Sequence, residues 1–397
     1  MARDLRCLVA MQPSTPADPI ETRVPTLLAK VGAAFGSLVL ALALGELIAT
    51  CAMGGVYPTL NIYEPDLVYG VHLTPDTTTR VVSPDGTVTD FRTNGLGFRG
   101  DQWPPKTDSA TPIAGCVAGR VLVVGDSQVM GWGVAEEAVF VRHLDGYEVL
   151  AAGVPTWGPL EYARAVSELV PSYRPERVVL VINAANDWQE APLPNFRRTT
   201  ARDGWARVPL GTPEGDDFTD FPLRRFLLGR SHLVMAVRFL IDPPSKGLPP
   251  VLATRFMGDL PIHLRPDAPY RSRITRQVEK ARAVCARLGC ELMPVLLPMD
   301  IQVHPSEWAK YLVPPLDARP SLVLATALQA DEPDLVDLMP ALVRASPGAF
   351  LPDDYHLSAA GHAAVAAVLR ERLARPFRPQ LTTDTNAAEA THEEPSR

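Results

Sequence analysis

The sequence predicts an α/β fold in three layers, a parallel β-sheet with helices on both faces. Two observations carry that expectation. From Arg120 onward, short apolar runs recur as "RVLVVGD", "YEVLAAG", "RVVLVIN", "CELMPVLL" and "DLVDLM", and stretches with apolar residues at helical spacing stand between them. Strands that helices cover on both faces read as continuous Val/Ile/Leu runs, because no side of them meets water. With 397 residues the chain can bury a sizeable core, and by length alone it could hold two domains.

Taken in order, residues 1–26 form an N-terminal segment and 27–53 a membrane anchor. The run Val31–Ala52 carries a single charge, Glu46, and is long enough to span a bilayer. Arg3, Arg6, Arg23 and Lys30 precede it, whereas Glu64, Asp66 and Asp76 follow it. That bias places the N-terminus in the cytoplasm and the bulk of the chain outside it. A cleaved signal peptide, a lipoprotein site at Cys51 and a buried soluble helix compete with this reading.

Residues 54–115 read as a small β-rich lead-in, with a hairpin turning at Pro84-Asp85-Gly86. Its "TNGLGFRG" element puts Arg99 on a glycine-flanked turn, where packing against the main domain is expected. The main domain runs over 116–378. Ile274, Val278, Ala281, Cys285 and Leu288 mark a helix that Gly289 closes. Ser358 is the expected N-cap of a last helix with Val365, Val368, Leu369 and Leu373 as its buried stripe, and His362 is expected on its surface or at its cap. An insertion at about 189–269 breaks the rhythm and is a candidate lid. Residues 379–397 are expected to be disordered.

Composition narrows the partners. Lys and Arg number 38 against 45 Asp and Glu, with no basic run, so no nucleic acid is expected. Five cysteines show no CxxC pair, and neither a metal nor another cofactor is expected. The spacing of Cys285 and Cys290 leaves a disulfide open.

In an open parallel sheet, ligands bind outside the carboxyl ends of the strands. The first exit gives Gly125-Asp126-Ser127, the second "AAGVPTWG", the third "NAANDW", and "LPDDYHLSAAGH" follows the last strand. A serine hydroxyl needs a neighbouring imidazole to take its proton, and that imidazole needs an acceptor to fix its tautomer. His356 with Asp353 three residues earlier offers both. Singly, Ser127 would be a loop hydroxyl, His356 a helix neighbour, and Asn186 with Asp187 turn formers. It is their conjunction that points to catalysis.

These residues, GDS at 125–127, ND at 186–187 and the D-x-x-H of Asp353 and His356, resemble the SGNH/GDSL hydrolase family, in its membrane-anchored bacterial branch. The resemblance covers about Arg120 to Arg375. It implies a flavodoxin-like sheet, with Ser127 as nucleophile and oxyanion donor, His356 as base, Asp353 as its orienting acid and Asn186 as amide donor. Thr156 stands where the family usually has a glycine whose N–H completes the oxyanion hole. Ala184 replaces the glycine before ND. Trp157, Trp188 and Tyr355 adjoin these blocks and could line a substrate wall or pack in the core. The expected activity is a membrane-anchored extracytoplasmic serine esterase that removes acyl groups from a glycan or small ester. An O-acyltransferase of an exported polysaccharide and a non-catalytic glycan-binding scaffold are the alternatives.

Overall fold

A computed structural model describes residues 26–56, 60–82, 88–106, 117–202, 204–207, 231–241, 269–310, 328, 332, 334–352 and 354–376. The N-terminal segment, most of the insertion, the Pro84-Asp85-Gly86 turn, Asp353 and the C-terminal tail lie outside these residues. The chain divides into two compact units, Met1–Ile48 and Ala49–Arg397.

The first unit holds most of α1 (Leu27–Ala52). Ala and Leu are strong helix formers, and their density here outweighs the three glycines. Leu38, Leu40, Leu44 and Leu47 are exposed along it. The helix is long and apolar enough to cross a membrane.

The second unit opens with two antiparallel hairpins, β1 (Tyr63–Asp66) with β2 (Gly70–Leu73) and β3 (Thr78–Val82) with β4 (Val88–Arg92). Asp66 shapes the first turn by accepting from the N–H groups of Val68 and Tyr69. Val71, Leu73, Phe91 and Phe98 are buried in the same cluster as the main sheet, so the lead-in is folded onto the domain.

Next come β5 (Val117–Gly125), α2 (Ser127–Met130), β6 (Glu148–Gly153), α3 (Pro159–Tyr173), β7 (Pro175–Asn183) and α4 (Asp187–Glu190). A short hairpin of β8 (Thr200–Arg202) and β9 (Trp205–Arg207) and helix α5 (His232–Ile241) belong to the insertion. Then follow α6 (Pro269–Leu288), β10 (Glu291–Leu297), α7 (Asp300–Val303), β11 (Val336–Asp337), α8 (Met339–Ala345) and α9 (Ala359–Leu373).

Among the described residues, five strands form one parallel sheet in the order β11-β10-β7-β5-β6, as the five apolar runs predict. The alternation of strand side chains divides the core. Leu122, Val124, Leu180, Ile182, Leu292 and Leu296 face α3 and α6, while Val121, Val123, Val179, Val181, Val295 and Leu297 face α8 and α9. Full burial of each such side chain contributes about 1.5–3 kcal/mol. The chain leaves β5 first toward β6 and then returns to β7 on its other side. The topological switch point therefore lies at the carboxyl end of β5, directly before Ser127.

Gly289 closes α6 with φ +75°, and the Cys290 N–H donates to the Cys285 carbonyl. Both of these cysteines are buried free thiols, so the open disulfide does not form here. Ser358 caps α9 by accepting from the Gly361 N–H at 3.2 Å. His362 departs from expectation. It is 1% exposed, stacks on Phe140 and accepts the Phe140 N–H. Burial drives its imidazole down to about 3, which keeps it neutral. Residue 362 lies three and seven positions before Val365 and Leu369, on the buried stripe, so helical spacing could have found it.

Candidate active site

Residue Gly125 ends β5, and Asp126 caps the one-turn helix α2, accepting the Gln128 N–H on Oδ1 at 2.9 Å. The other carboxylate oxygen accepts from the Asn183 and Asn186 side-chain amides at 2.8 and 3.1 Å. Asp126 thus ties the β5 exit to the β7 exit. At 1% exposed, it is a positioning group that the sequence reading left without a role, although it is the middle letter of GDS.

Ser127 Oγ and His356 Nε2 are 2.7 Å apart. On the far side of the ring, His356 Nδ1 is 2.7 Å from Asp354 Oδ1. The sequence reading gives that place to Asp353, which lies outside the described residues; the carboxylate on Nδ1 is Asp354. The reason is local. The Leu351 N–H donates to the His356 carbonyl, and Phe350 bridges Leu357. That tight reversal turns residue 354 toward the imidazole, and its Oδ1 also accepts the His356 N–H. Burial works against the Asp354 charge, but the His356 imidazole and the N–H groups of His356 and Tyr355 outweigh it. They hold the carboxyl below its ordinary value.

Asn186 lies at the β7 exit, 7% exposed. Its amide gives one N–H to Asp126 and has a second. Asp187 pins the same turn by accepting the Tyr162 hydroxyl and the Asn183 N–H. Burial, with the Asp126 and Glu190 charges, pushes its carboxyl well above the ordinary value.

Thr156 follows β6 with φ +75°, in the left-handed region that a β-branched residue almost never adopts. A glycine would take this φ without strain, which fits the register assigned from sequence. Two contacts hold Thr156 there: Asn195 Nδ2 donates to its Oγ1 at 3.0 Å, and Arg198 donates to its carbonyl at 3.0 Å. Arg198 in turn pairs with Glu190 at 3.1 Å and Glu161 at 3.4 Å. Burial pushes the Glu190 carboxyl up to about 8, against the pull of Arg198.

The three aromatic residues part company. Trp157 is 1% exposed, stacked on Tyr69 at 4.5 Å, with its indole N–H donated to the Val71 carbonyl. Trp188 is likewise in the core. Both offer no face to a substrate. Tyr355 is half-buried and stacks on His356 at 4.5 Å. Trp132, which the sequence reading missed, stands tilted at 6.0 Å from the same imidazole. Nothing in its surroundings in the sequence marks it. Arg99 packs as expected: its guanidinium donates to the carbonyls of Met130, Gly131 and Val134 and lies over Phe91. It braces the C-terminal end of α2 from the lead-in. Among the described residues, no cluster of three or more His, Cys, Asp and Glu could hold a metal ion.

Residues 263–397 match the family model described as SGNH hydrolase-like domain, acetyltransferase AlgX. Over that segment, about a third of its length, the chain is similar to an SGNH hydrolase-like domain. The matched segment contains the His356 loop and α9, while the Ser127, Thr156 and Asn186 turns precede it. Comparison with curated proteins finds no match. Among solved structures, the chain is similar to TesA at 13% identity, over 64% of this chain and 98% of that one, with a TM-score of 0.35. It is also similar to a catalytic mutant of Axe2, an acetylxylan esterase from Geobacillus stearothermophilus, at 12% identity, over 67% and 98%, with a TM-score of 0.34. A lipase/acylhydrolase from Enterococcus faecalis matches at 12% identity, over 64% and 94%, with a TM-score of 0.31. Helix α1 is a candidate membrane anchor or signal.

Proposed function

We propose that the chain is a membrane-anchored serine esterase that removes acyl groups from a glycan or small ester outside the cytoplasm. The observation that carries this reading is the line of Asp354, His356 and Ser127, with both contacts at 2.7 Å. His356 Nε2 accepts the Ser127 proton as Oγ attacks the ester carbonyl, and Asp354 steadies the imidazolium through Nδ1–H. Asn186 Nδ2–H and the backbone N–H groups of Thr156 and Ser127 serve as donors to the tetrahedral oxyanion. Collapse of that intermediate expels the alcohol, which leaves with the proton from His356. The acyl-enzyme is then opened by water, with His356 again as base. The basic residues before α1 support a cytoplasmic N-terminus and an extracytoplasmic catalytic domain.

A second reading has a specific observation behind it. The matched family model is named for an acetyltransferase, which favours a sugar hydroxyl, in place of water, as the group that opens the same acyl-enzyme. The assembled serine and histidine support both enzymes over a non-catalytic scaffold. The deciding experiment treats the purified full chain with a fluorophosphonate and then measures p-nitrophenyl acetate turnover with and without oligosaccharide acceptors. Ser127 is expected to be labelled. Acetate release alone supports the esterase, acetylated oligosaccharide the transferase, and an unlabelled Ser127 sinks both.

A further inference from the structure

We infer that Gln128 is a positioning residue that sets the distance between His356 and Ser127, an inference that rests on the acyl-enzyme reading above. Gln128 directly follows the nucleophile and is 2% exposed. Its side chain reaches across to a loop 229 positions away in the sequence. There Nε2 donates to the Tyr355 carbonyl at 3.3 Å and Oε1 accepts the Leu357 N–H at 3.1 Å. The two contacts straddle His356. Because the Gln128 N–H is itself bound to Asp126, both ends of the link are fixed, one to the serine and one to the base.

The chemistry of the contact selects the residue. A backbone carbonyl and a backbone N–H two residues apart need an acceptor and a donor side by side, which a primary amide supplies and few other side chains do. Methionine matches the length of Gln and offers neither group. An ionised glutamate accepts from Leu357 but cannot donate to Tyr355, whereas a protonated one does both. Proton transfer needs Oγ and Nε2 within about 2.6–3.2 Å, and a misplacement of about 1 Å can cost about 100-fold. The observed 2.7 Å therefore depends on how the His356 loop is hung from α2.

The test compares wild type, Gln128→Met and Gln128→Glu as full-length protein in detergent. It reads the rate of Ser127 labelling by a fluorophosphonate, kcat and KM for p-nitrophenyl acetate from pH 5 to 8, and thermal melting. For Gln128→Met, labelling and kcat should fall about 30- to 100-fold with KM nearly unchanged. For Gln128→Glu, activity relative to wild type should rise as pH falls, because protonation restores the donor. The titrating groups around that carboxyl are Asp126 at the cap of α2 and Asp354, Tyr355 and His356 on the facing loop, and dividing by wild type removes their shared contribution. Wild-type kcat in a folded Gln128→Met, or a flat Gln128→Glu ratio, would overturn the role. Should Gln128→Met fail to fold, the Gln128→Glu ratio alone decides. A wild type that is not labelled at Ser127 ends the acyl-enzyme reading and this role with it, a result distinct from a labelled wild type with an unaffected Gln128→Met.

Discussion

Around His356 no residue from Asp354 to Leu357 has a positive φ, and its loop closes on itself through Leu351 and Asp354 before Gln128 fastens it to α2. Around Thr156 the backbone sits at φ +75°, and the groups that hold it, Asn195 and Arg198, come from about forty residues further along. One side of the site is thus relaxed and locally determined. The other is strained and propped by a largely buried cluster of Arg198, Glu161 and Glu190. Strain at a functional turn persists only where its surroundings over-determine it. Substitutions on the relaxed side should therefore act on chemistry, and those on the strained side should mix chemistry with stability.

The largest effect belongs to the relaxed side. Ser127→Ala should lower ester turnover by about three orders of magnitude or more without changing the melting temperature appreciably. Next, Asp354→Asn should cost about 1,000- to 10,000-fold in kcat, the loss expected when the group that fixes the imidazole tautomer is removed. Asp353→Asn should stay within a few-fold of wild type. The reverse order, measured on p-nitrophenyl acetate, would return the acid to Asp353.

Between the two sides stands Asn186. Loss of one oxyanion donor costs about 100- to 1,000-fold in kcat, or about 2.7–4 kcal/mol, with KM little moved. Asn186→Ala should show that pattern. A large rise in KM with kcat intact would instead make Asn186 a binding group.

The prop of the strained side gives a smaller effect, on stability. Burial raises the Glu190 carboxyl from an ordinary 4.5 to about 8, so the folded chain keeps a proton that the unfolded chain has released. That contribution is fully present below about pH 4.5 and is lost as pH rises through about 8. His362, held at about 3 against an ordinary 6.5, opposes this below about pH 6.5. Wild type should therefore melt at progressively lower temperature from about pH 6.5 to 8.5, and Glu190→Gln should show a flatter profile there. Parallel profiles for the two proteins would remove Glu190 from the account.

The same contrast explains what could be read from the sequence. The five strands, the Ser127 exit and Asn186 were legible because apolar runs and strand ends are local signals that the switch-point rule turns into places. The sequence reading gives the acid to Asp353, and the carboxylate at His356 Nδ1 is its neighbour Asp354. The reversal between Phe350 and Leu357, which no local pattern encodes, is what brings Asp354 to the imidazole. Trp157 was left open between substrate wall and core, and its burial depends on Tyr69 and Val71 from the lead-in, a contact that no local pattern encodes. His362 was legible and overlooked. Gln128 was not, since its partners lie 227 and 229 positions away.

The smallest effect is the most pointed test of strain. At Thr156, a glycine relieves a left-handed conformation that costs a non-glycine residue roughly 1–3 kcal/mol. It forfeits the Oγ1 contact with Asn195 Nδ2, worth about 1 kcal/mol, although that amide keeps its bond to the Tyr69 carbonyl. It also adds about 0.5–1 kcal/mol of chain entropy to be lost on folding. These terms nearly cancel, so Thr156→Gly should leave stability within about 1 kcal/mol of wild type. Because its N–H is kept, kcat should remain within about tenfold. Alanine loses the same hydroxyl contact but keeps a Cβ at φ +75°, so Thr156→Ala should be less stable than Thr156→Gly. That inverts the usual order of these two residues, in which glycine is the worse by about 0.5–1 kcal/mol in regular structure. Equilibrium unfolding of the two variants measures the difference directly. If alanine proves the more stable, the turn is not strained as described, and the N–H of residue 156 loses its claim to a preset place in the oxyanion hole.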